Sequence, residues 1–263
     1  LTYIGTMHPL SHQGQQPVEY FFRLEEDEIP LNHYLGKNIQ IDYLGKIHCI
    51  YCGRRTKKSY NGGSCYPCFR DRPENDLCIV KPETCHFQQG TCRDEEFGQS
   101  HCMQPHYVYL ALSSEVKVGI TRKPNALKRW VDQGAVEALP IAEVKTRHEA
   151  GELEVHLSQY VKDKTNWRRM LKNDISHRNL YEVRNELIPS IPEKFRNSIL
   201  THHEVFHFHY PSLSVPEKIT SFNLDKHPTI KGQLTGIKGQ YLILDTGVIN
   251  VRKFSGYLVQ LVL

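Results

Sequence analysis

The sequence contains no apolar run of the roughly 18–20 residues needed to cross a bilayer. Its longest are short pieces such as Tyr107 to Leu112 and Tyr241 to Leu244, so no membrane partner is expected. The opening residues Leu1 to Leu10 lack a basic start followed by an apolar stretch, the mark of an export signal, and a cytoplasmic protein is expected. No repeat and no low-complexity tract is visible, which excludes solenoid and compositionally disordered classes. Strong net charge is missing too. A formal charge of +4 and a pI near 8.5 lean only mildly toward anionic partners.

What is present is ordinary globular composition over 263 residues, 39% apolar and 24% charged, enough for a packed core. The expected fold class is α+β, built from several modules. Residues 1–45 read as a small β module, because 18–24 is rich in aromatic and β-branched residues and Ile39, Ile41 and Tyr43 alternate with polar neighbours. Residues 46–72 form a cysteine-paired zinc ribbon, with Asn61-Gly62-Gly63 as the turn between its halves. Residues 73–104 carry four more cysteines in a loop-rich stretch with little core of its own. Residues 105–190 read as an α/β domain, with strands at 107–112, 116–121 and 138–144. Helices are expected from Pro124, over 148–161 and over 179–187. Residues 191–263 begin with a helical stretch to Leu200, and Ile230 to Leu263 is a β-rich module whose glycines separate short strands. His203, His207 and His209 share a strand face with Val205 and read as a mixed β surface rather than a metal site.

Cysteine spacing decides between disulfides and metal. Cys49-x2-Cys52, twelve residues, then Cys65-x2-Cys68 is two Cys-x-x-Cys turns. Each such turn presents two sulfurs to a tetrahedral ion, and the second completes the shell. Four thiolates leave no open position, so this zinc is structural. A second zinc site is expected from Cys78, Cys85, Cys92 and Cys102, with His86, His101 and His106 nearby as substitute ligands; buried reduced cysteines are the alternative. From Lys46 to Arg70 the chain carries no carboxylate. Arg54, Arg55, Lys57 and Lys58 therefore form a basic patch for nucleic-acid phosphates, interleaved with Tyr51, Tyr60, Tyr66 and Phe69 as stacking faces.

Tyr107-Val108-Tyr109 on one strand, and Lys117-Val118-Gly119-Ile120-Thr121-Arg122 on the next, resemble the paired motifs of the GIY-YIG nuclease superfamily. Tyr107 stands where the superfamily's name has glycine, and Lys117 where it has the second tyrosine. The resemblance implies that Tyr109 matches the first tyrosine, Gly119 the glycine, Arg129 the helical arginine and Glu154 the metal-binding glutamate, with Asn166 a downstream polar residue. The stretch from Cys49 to Lys58, that from Tyr109 to Arg129, and Lys164-Thr165-Asn166-Trp167-Arg168 are also similar to a family of bacterial proteins of unknown function.

If the likeness extends to activity, it implies metal-assisted phosphodiester hydrolysis. Glu154 would then hold Mg²⁺ or Mn²⁺. Tyr109 would orient or deprotonate the attacking water, and Arg129 and Lys117 would stabilise charge on phosphorus oxygens. Arg122 joins the nucleic-acid contacts. The alternatives are a fold that binds DNA, RNA or a ribonucleoprotein without cutting it, and a protein-interaction scaffold.

Overall fold

The computed structural model describes residues 1–14, 16–161 and 165–263. It is a mixed α/β protein with three sheets among the described residues, and the chain divides into two compact units. One joins residues 1–71 to 209–263, and the other comprises residues 72–208.

In the first unit, strands Glu19–Leu24 and Asn38–His48 owe their placement to period-two patterning. Tyr20, Phe22 and Leu24 are buried with Ile39 and Ile41, while the intervening residues are not. The larger sheet is built from both ends of the unit's chain. Thr2–Thr6 pairs antiparallel with Tyr257–Val262, which pairs with Asn38–His48, which pairs in turn with Thr229–Lys238; Tyr241–Leu244 and Gly247–Asn250 follow. Sequence periodicity shows these strands but not all their partners, since Tyr257–Val262 pairs with strands more than two hundred positions before it.

The second unit is organised around an antiparallel sheet of β1 (His106–Leu112), β2 (Val116–Arg122), β3 (Glu137–Val144) and β4 (Phe206–His207), in spatial order β4-β3-β1-β2. Helix α1 (Ala126–Asp132) follows β2, and α2 (Arg147–Leu157) follows β3. Helix α2 starts with a two-way cap: the Thr146 hydroxyl accepts the Glu149 N–H at 3.2 Å, and the Glu149 carboxylate accepts the Lys145 N–H at 3.0 Å. One stripe of α2, with Ala150, Leu153 and Leu157, is buried in a core shared with Val108, Leu110, Val118 and Ile141. Arg147, Gly151 and Glu154 recur at helical spacing on another stripe.

Several boundaries differ from the sequence reading. Pro124 lies in a 3₁₀ turn, Lys123–Asn125, ahead of α1. Helix α2 ends at Leu157 rather than 161, and the Ser158 hydroxyl donates back to the Glu154 carbonyl at 2.7 Å. Asn179 caps the helix Leu180–Leu187 from outside, accepting the Tyr181 and Glu182 N–H groups. The stretch after Pro192 is a 3₁₀ helix, Glu193–Ser198. Of the predicted alternation at 205–209, only Phe206 and His207 enter a strand.

Candidate functional site

Reactive side chains gather in both units. In the first unit, strand Asn38–His48 runs straight into Cys49, whose carbonyl accepts the Gly53 N–H at 2.9 Å while its N–H donates to the Arg54 carbonyl at 2.9 Å. That tight turn brings Cys52 beside Cys49. The second turn leads into the helix Tyr66–Asp71, and the sulfurs of Cys49, Cys52, Cys65 and Cys68 all lie within 4.8 Å of one another. Cys52 and Cys65 are 3.7 Å apart. Burial opposes ionisation of Cys49, but backbone N–H groups of Cys52, Cys65 and Tyr51 outweigh it and lower the thiol to about 6. Burial and its three sulfur neighbours push Cys68 up to about 12. Four soft donors so close together could hold a zinc ion, which favours their thiolate forms.

Arg54, Arg55, Lys57 and Lys58 are exposed around this cluster. The aromatic residues partly satisfy one another: Tyr60 stacks on Phe69 at 5.5 Å and meets Tyr66 edge-on at 5.6 Å, with Lys58 Nζ 5.0 Å above the Tyr60 ring.

The second place is a cleft of about 610 Å³ in the other unit. It is lined by Tyr109, Lys117, Gly119, Arg122, Arg129 and Glu154, so the structure brings these residues, predicted from distant motifs, to one surface. The reason is register. Tyr109 on β1 lies directly opposite Gly119 on β2, and a Cβ on Gly119 would sit 2.6 Å from the tyrosine's hydroxyl. The glycine therefore leaves space that the Tyr109 ring fills. Trp130 of α1 closes the other side edge-on at 5.6 Å, and the Tyr109 hydroxyl donates to Gln133 Oε1 at 3.0 Å. Tyr109 is 0% exposed. Burial raises its pKa, although Arg129 acts in the opposite sense, so the phenol keeps its proton.

A Gly119→Ala substitution should consequently force Tyr109 out of its seat. The expected cost is about 1–3 kcal/mol, a fall in melting temperature of several degrees, measured by thermal unfolding. Adding Tyr109→Leu should recover part of the loss, since the shorter side chain leaves room for the methyl group.

Sequence reasoning missed two residues here. Arg147 also lines the cleft, at the first position of α2 and two turns from Glu154. One guanidinium nitrogen donates to the Ile79 carbonyl at 2.6 Å, while Nε is buried without a hydrogen-bond partner among the described residues. Burial works against its charge, and Arg129 adds to that while Cys102 opposes it. Gln133, just past α1, is the second. The signal for Arg147 was the Thr146-x-x-Glu149 cap, which starts the helix one residue before the expected His148.

Asn166 is not part of the cleft. It caps a short helix, Trp167–Leu171, by accepting the Arg168 and Arg169 N–H groups, and its own N–H donates to Ser114 in the β1–β2 turn. Lys164 lies outside the described residues. Of the second cysteine set, Cys78, Cys85, Cys92 and Cys102 border one small pocket. The side chains of Asp76, Cys78 and His86 come within 4.8 Å of one another. Burial, then the Asp76 carboxylate, pushes Cys78 up to about 12.

His106 begins β1, fully buried, with Nδ1 2.6 Å from the Gln104 carbonyl and Nε2 lacking a partner among the described residues. Burial lowers its pKa from 6.5 to about 4, against the Gln104 hydrogen bond and with help from Arg147 and Arg122. The folded state holds this imidazole neutral, whereas the unfolded chain protonates it near its ordinary value. Its contribution is therefore intact above about pH 6.5 and is lost as pH falls toward about 4, a range worth about 3 kcal/mol. Denaturant titrations at pH 7.5, 6 and 4.5 should show a shallower acid loss in His106→Gln than in wild type.

Chemically, Lys117, Arg122, Arg129 and Arg147 face two lining carboxylates, Glu74 and Glu154. Glu74 is already held by Arg72, 2.8 Å away. Such a cleft favours an anion.

Together these features define a mixed α/β protein with a cysteine cluster able to hold zinc and a separate cationic cleft. The chain belongs to the family described as "Protein of unknown function (DUF2797)", which matches residues 36–259. No curated protein and no solved structure matches it. Among the described residues no helix is long and apolar enough to cross a membrane.

Proposed function

We propose that the 72–208 unit engages nucleic acid through a phosphodiester seated in its cleft, and that it hydrolyses that bond with a divalent cation. The observation carrying this reading is the convergence of Tyr109, Lys117, Gly119, Arg129 and Glu154, named from their GIY-YIG-like order in the sequence, on one cleft. On this reading Arg129, Arg147 and Lys117 hold the phosphate and offset the negative charge that builds on its oxygens. Tyr109, protonated and fixed by Gln133, positions the attacking water and does not deprotonate it; as the new P–O bond forms and the bond to the leaving oxygen breaks, solvent takes the water's proton and supplies one to the leaving oxygen. Glu154 is an oxygen donor of the kind Mg²⁺ or Mn²⁺ takes and would hold such an ion, whereas Glu74 is engaged by Arg72. The ion, when bound, supplies Lewis-acid polarisation of the phosphoryl group. The zinc cluster and its exposed cations provide a second nucleic-acid contact in a cytoplasmic protein.

Incubating the protein with labelled single- and double-stranded DNA and RNA, in Mg²⁺ or Mn²⁺, tests this directly. Cleavage by wild type that is abolished in Glu154→Ala is the expected result; equal cleavage by both removes the hydrolytic assignment. A second reading, binding without cleavage, is favoured by the buried, protonated Tyr109 and by Lys117 in the second tyrosine's place. It predicts salt-sensitive binding and intact substrate.

A further inference from the structure

Residues 72–104 fold almost without a core. Pro82, Gly98 and Cys102 are the buried residues of the whole stretch, while Leu77 and Val80 are exposed. Its helices are single turns such as Leu77–Val80 and Pro82–Thr84 until Glu95–Phe97 runs on into Gly98–Cys102. Ordering backbone costs conformational entropy at every residue, and so little apolar burial offsets little of it. What the stretch does contain is four cysteines.

Cys78, Cys85, Cys92 and Cys102 border the same pocket, whose free space is about 10 Å³. That is room for something the size of one water molecule or one ion, not for an organic ligand. Among the described residues no three of these sulfurs lie within 4.8 Å of one another, and Cys92 Sγ donates to the Asp94 carbonyl at 3.2 Å, so an ion seated in the pocket would draw the four together. Asp76 and His86 approach Cys78 but have other work. Asp76 accepts the Cys78 N–H and pairs with Arg93 at 2.9 Å, and His86 turns Nε2 to the Asp76 carboxylate at 3.4 Å while its Nδ1 is 2.8 Å from the Thr91 hydroxyl.

We propose that the sulfurs of Cys78, Cys85, Cys92 and Cys102 hold a second thiophilic divalent ion, zinc by preference, and that this ion fixes one wall of the cationic cleft. The mechanical link is specific. The segment's Ile79 carbonyl accepts from Arg147, and its Pro82–Glu83 backbone passes α2 where Gly151 has no side chain. A Cβ there would stand 2.5 Å from the Glu83 nitrogen. Helix α2 carries both Arg147 and Glu154, so what holds the segment also holds the position of Arg147 in the cleft. The second half of the proposal rests on the cleft being the functional site; the ion itself does not.

Elemental analysis of the full chain, purified under reducing conditions, tests the ion. Two zinc ions per chain are expected, with one retained in Cys85→Ser/Cys92→Ser and the other retained in Cys52→Ser/Cys65→Ser. A single ion, unaffected by Cys85→Ser/Cys92→Ser, overturns the proposal. So does loss of the second ion in Asp76→Asn/His86→Ala alone, with the sulfur variant still loaded. If the serine variant does not fold, cobalt titration of wild type decides, because a second site of four sulfurs doubles the thiolate-to-cobalt absorption and its absence leaves the signal of four. For the wall, amide exchange at 79–83 should quicken about tenfold or more in the Cys85→Ser/Cys92→Ser protein; unchanged exchange overturns that half. Neither readout depends on nucleic acid, so failure of the hydrolytic reading leaves both intact.

Discussion

Replacing Cys65 with serine is expected to release zinc from the first cluster and to unfold the stretch around it. Cys65 is 1% exposed, and its sulfur lies within 4.8 Å of three others. Taking away one of four soft ligands leaves three ionisable thiols crowded together without a charge to balance them. Structural zinc in such sites contributes on the order of 10–16 kcal/mol of apparent binding energy that is also folding energy. Losing even part of it is large against the stability of a small unit. The consequence reaches the larger sheet, because Arg55–Thr56 pairs with the end of Asn38–His48 inside the cysteine loop. Thermal unfolding should show a drop of more than about 10 °C, and a zinc-binding dye should detect release without protease or denaturant. Cys52 is exposed, and Cys52→Ser should release the metal with a smaller packing loss. An unaltered melting curve and full zinc retention in Cys65→Ser would show that the cluster binds no structural ion.

The second large effect belongs to the cleft. Under the proposed hydrolytic function, Glu154→Gln keeps the shape of the side chain and removes the charge, so cleavage should fall by about 100-fold or more, while affinity for the uncut strand should hold or rise. Arg129→Gln should act differently. It removes a cation next to the Tyr109 hydroxyl, and both cleavage and affinity should fall. Single-turnover cleavage with matched binding isotherms separates the two patterns. If both variants lowered affinity equally and neither changed the cleavage rate, the cleft would hold the ligand elsewhere than at Glu154.

Much of this was readable from residue types whose chemistry fixes their spacing. Two Cys-x-x-Cys turns must present sulfurs in pairs, so Cys49, Cys52, Cys65 and Cys68 could be grouped before any coordinates. Strands β1, β2 and β3 were visible because buried strands of a sheet covered by helices are nearly continuous apolar runs. Other features depend on three-dimensional partners that no local pattern states. Arg147 was passed over because the helix start was placed at His148, one residue late. Asn166 looked available for chemistry, yet an asparagine immediately before a helix is first of all a cap. The pairing of Thr2–Thr6 with Tyr257–Val262 was beyond reach for a different reason: strand propensity says that an edge needs a neighbour but not which one. The second cysteine set has sulfurs spaced by six or nine residues, too far for a local turn to fix their geometry.

The most direct measurement is the salt dependence of oligonucleotide binding by wild type and by Arg129→Gln/Arg147→Gln, in the absence of divalent cation. If three or four cleft cations neutralise phosphates of a single strand, they contribute about −2 to −3 to the slope of log affinity against log salt, beyond what the cations around the cysteine cluster add. The double variant should flatten that slope by about 1 to 1.5. Binding that ignores salt, or a slope the two substitutions leave unchanged, would contradict a phosphodiester seat in this cleft.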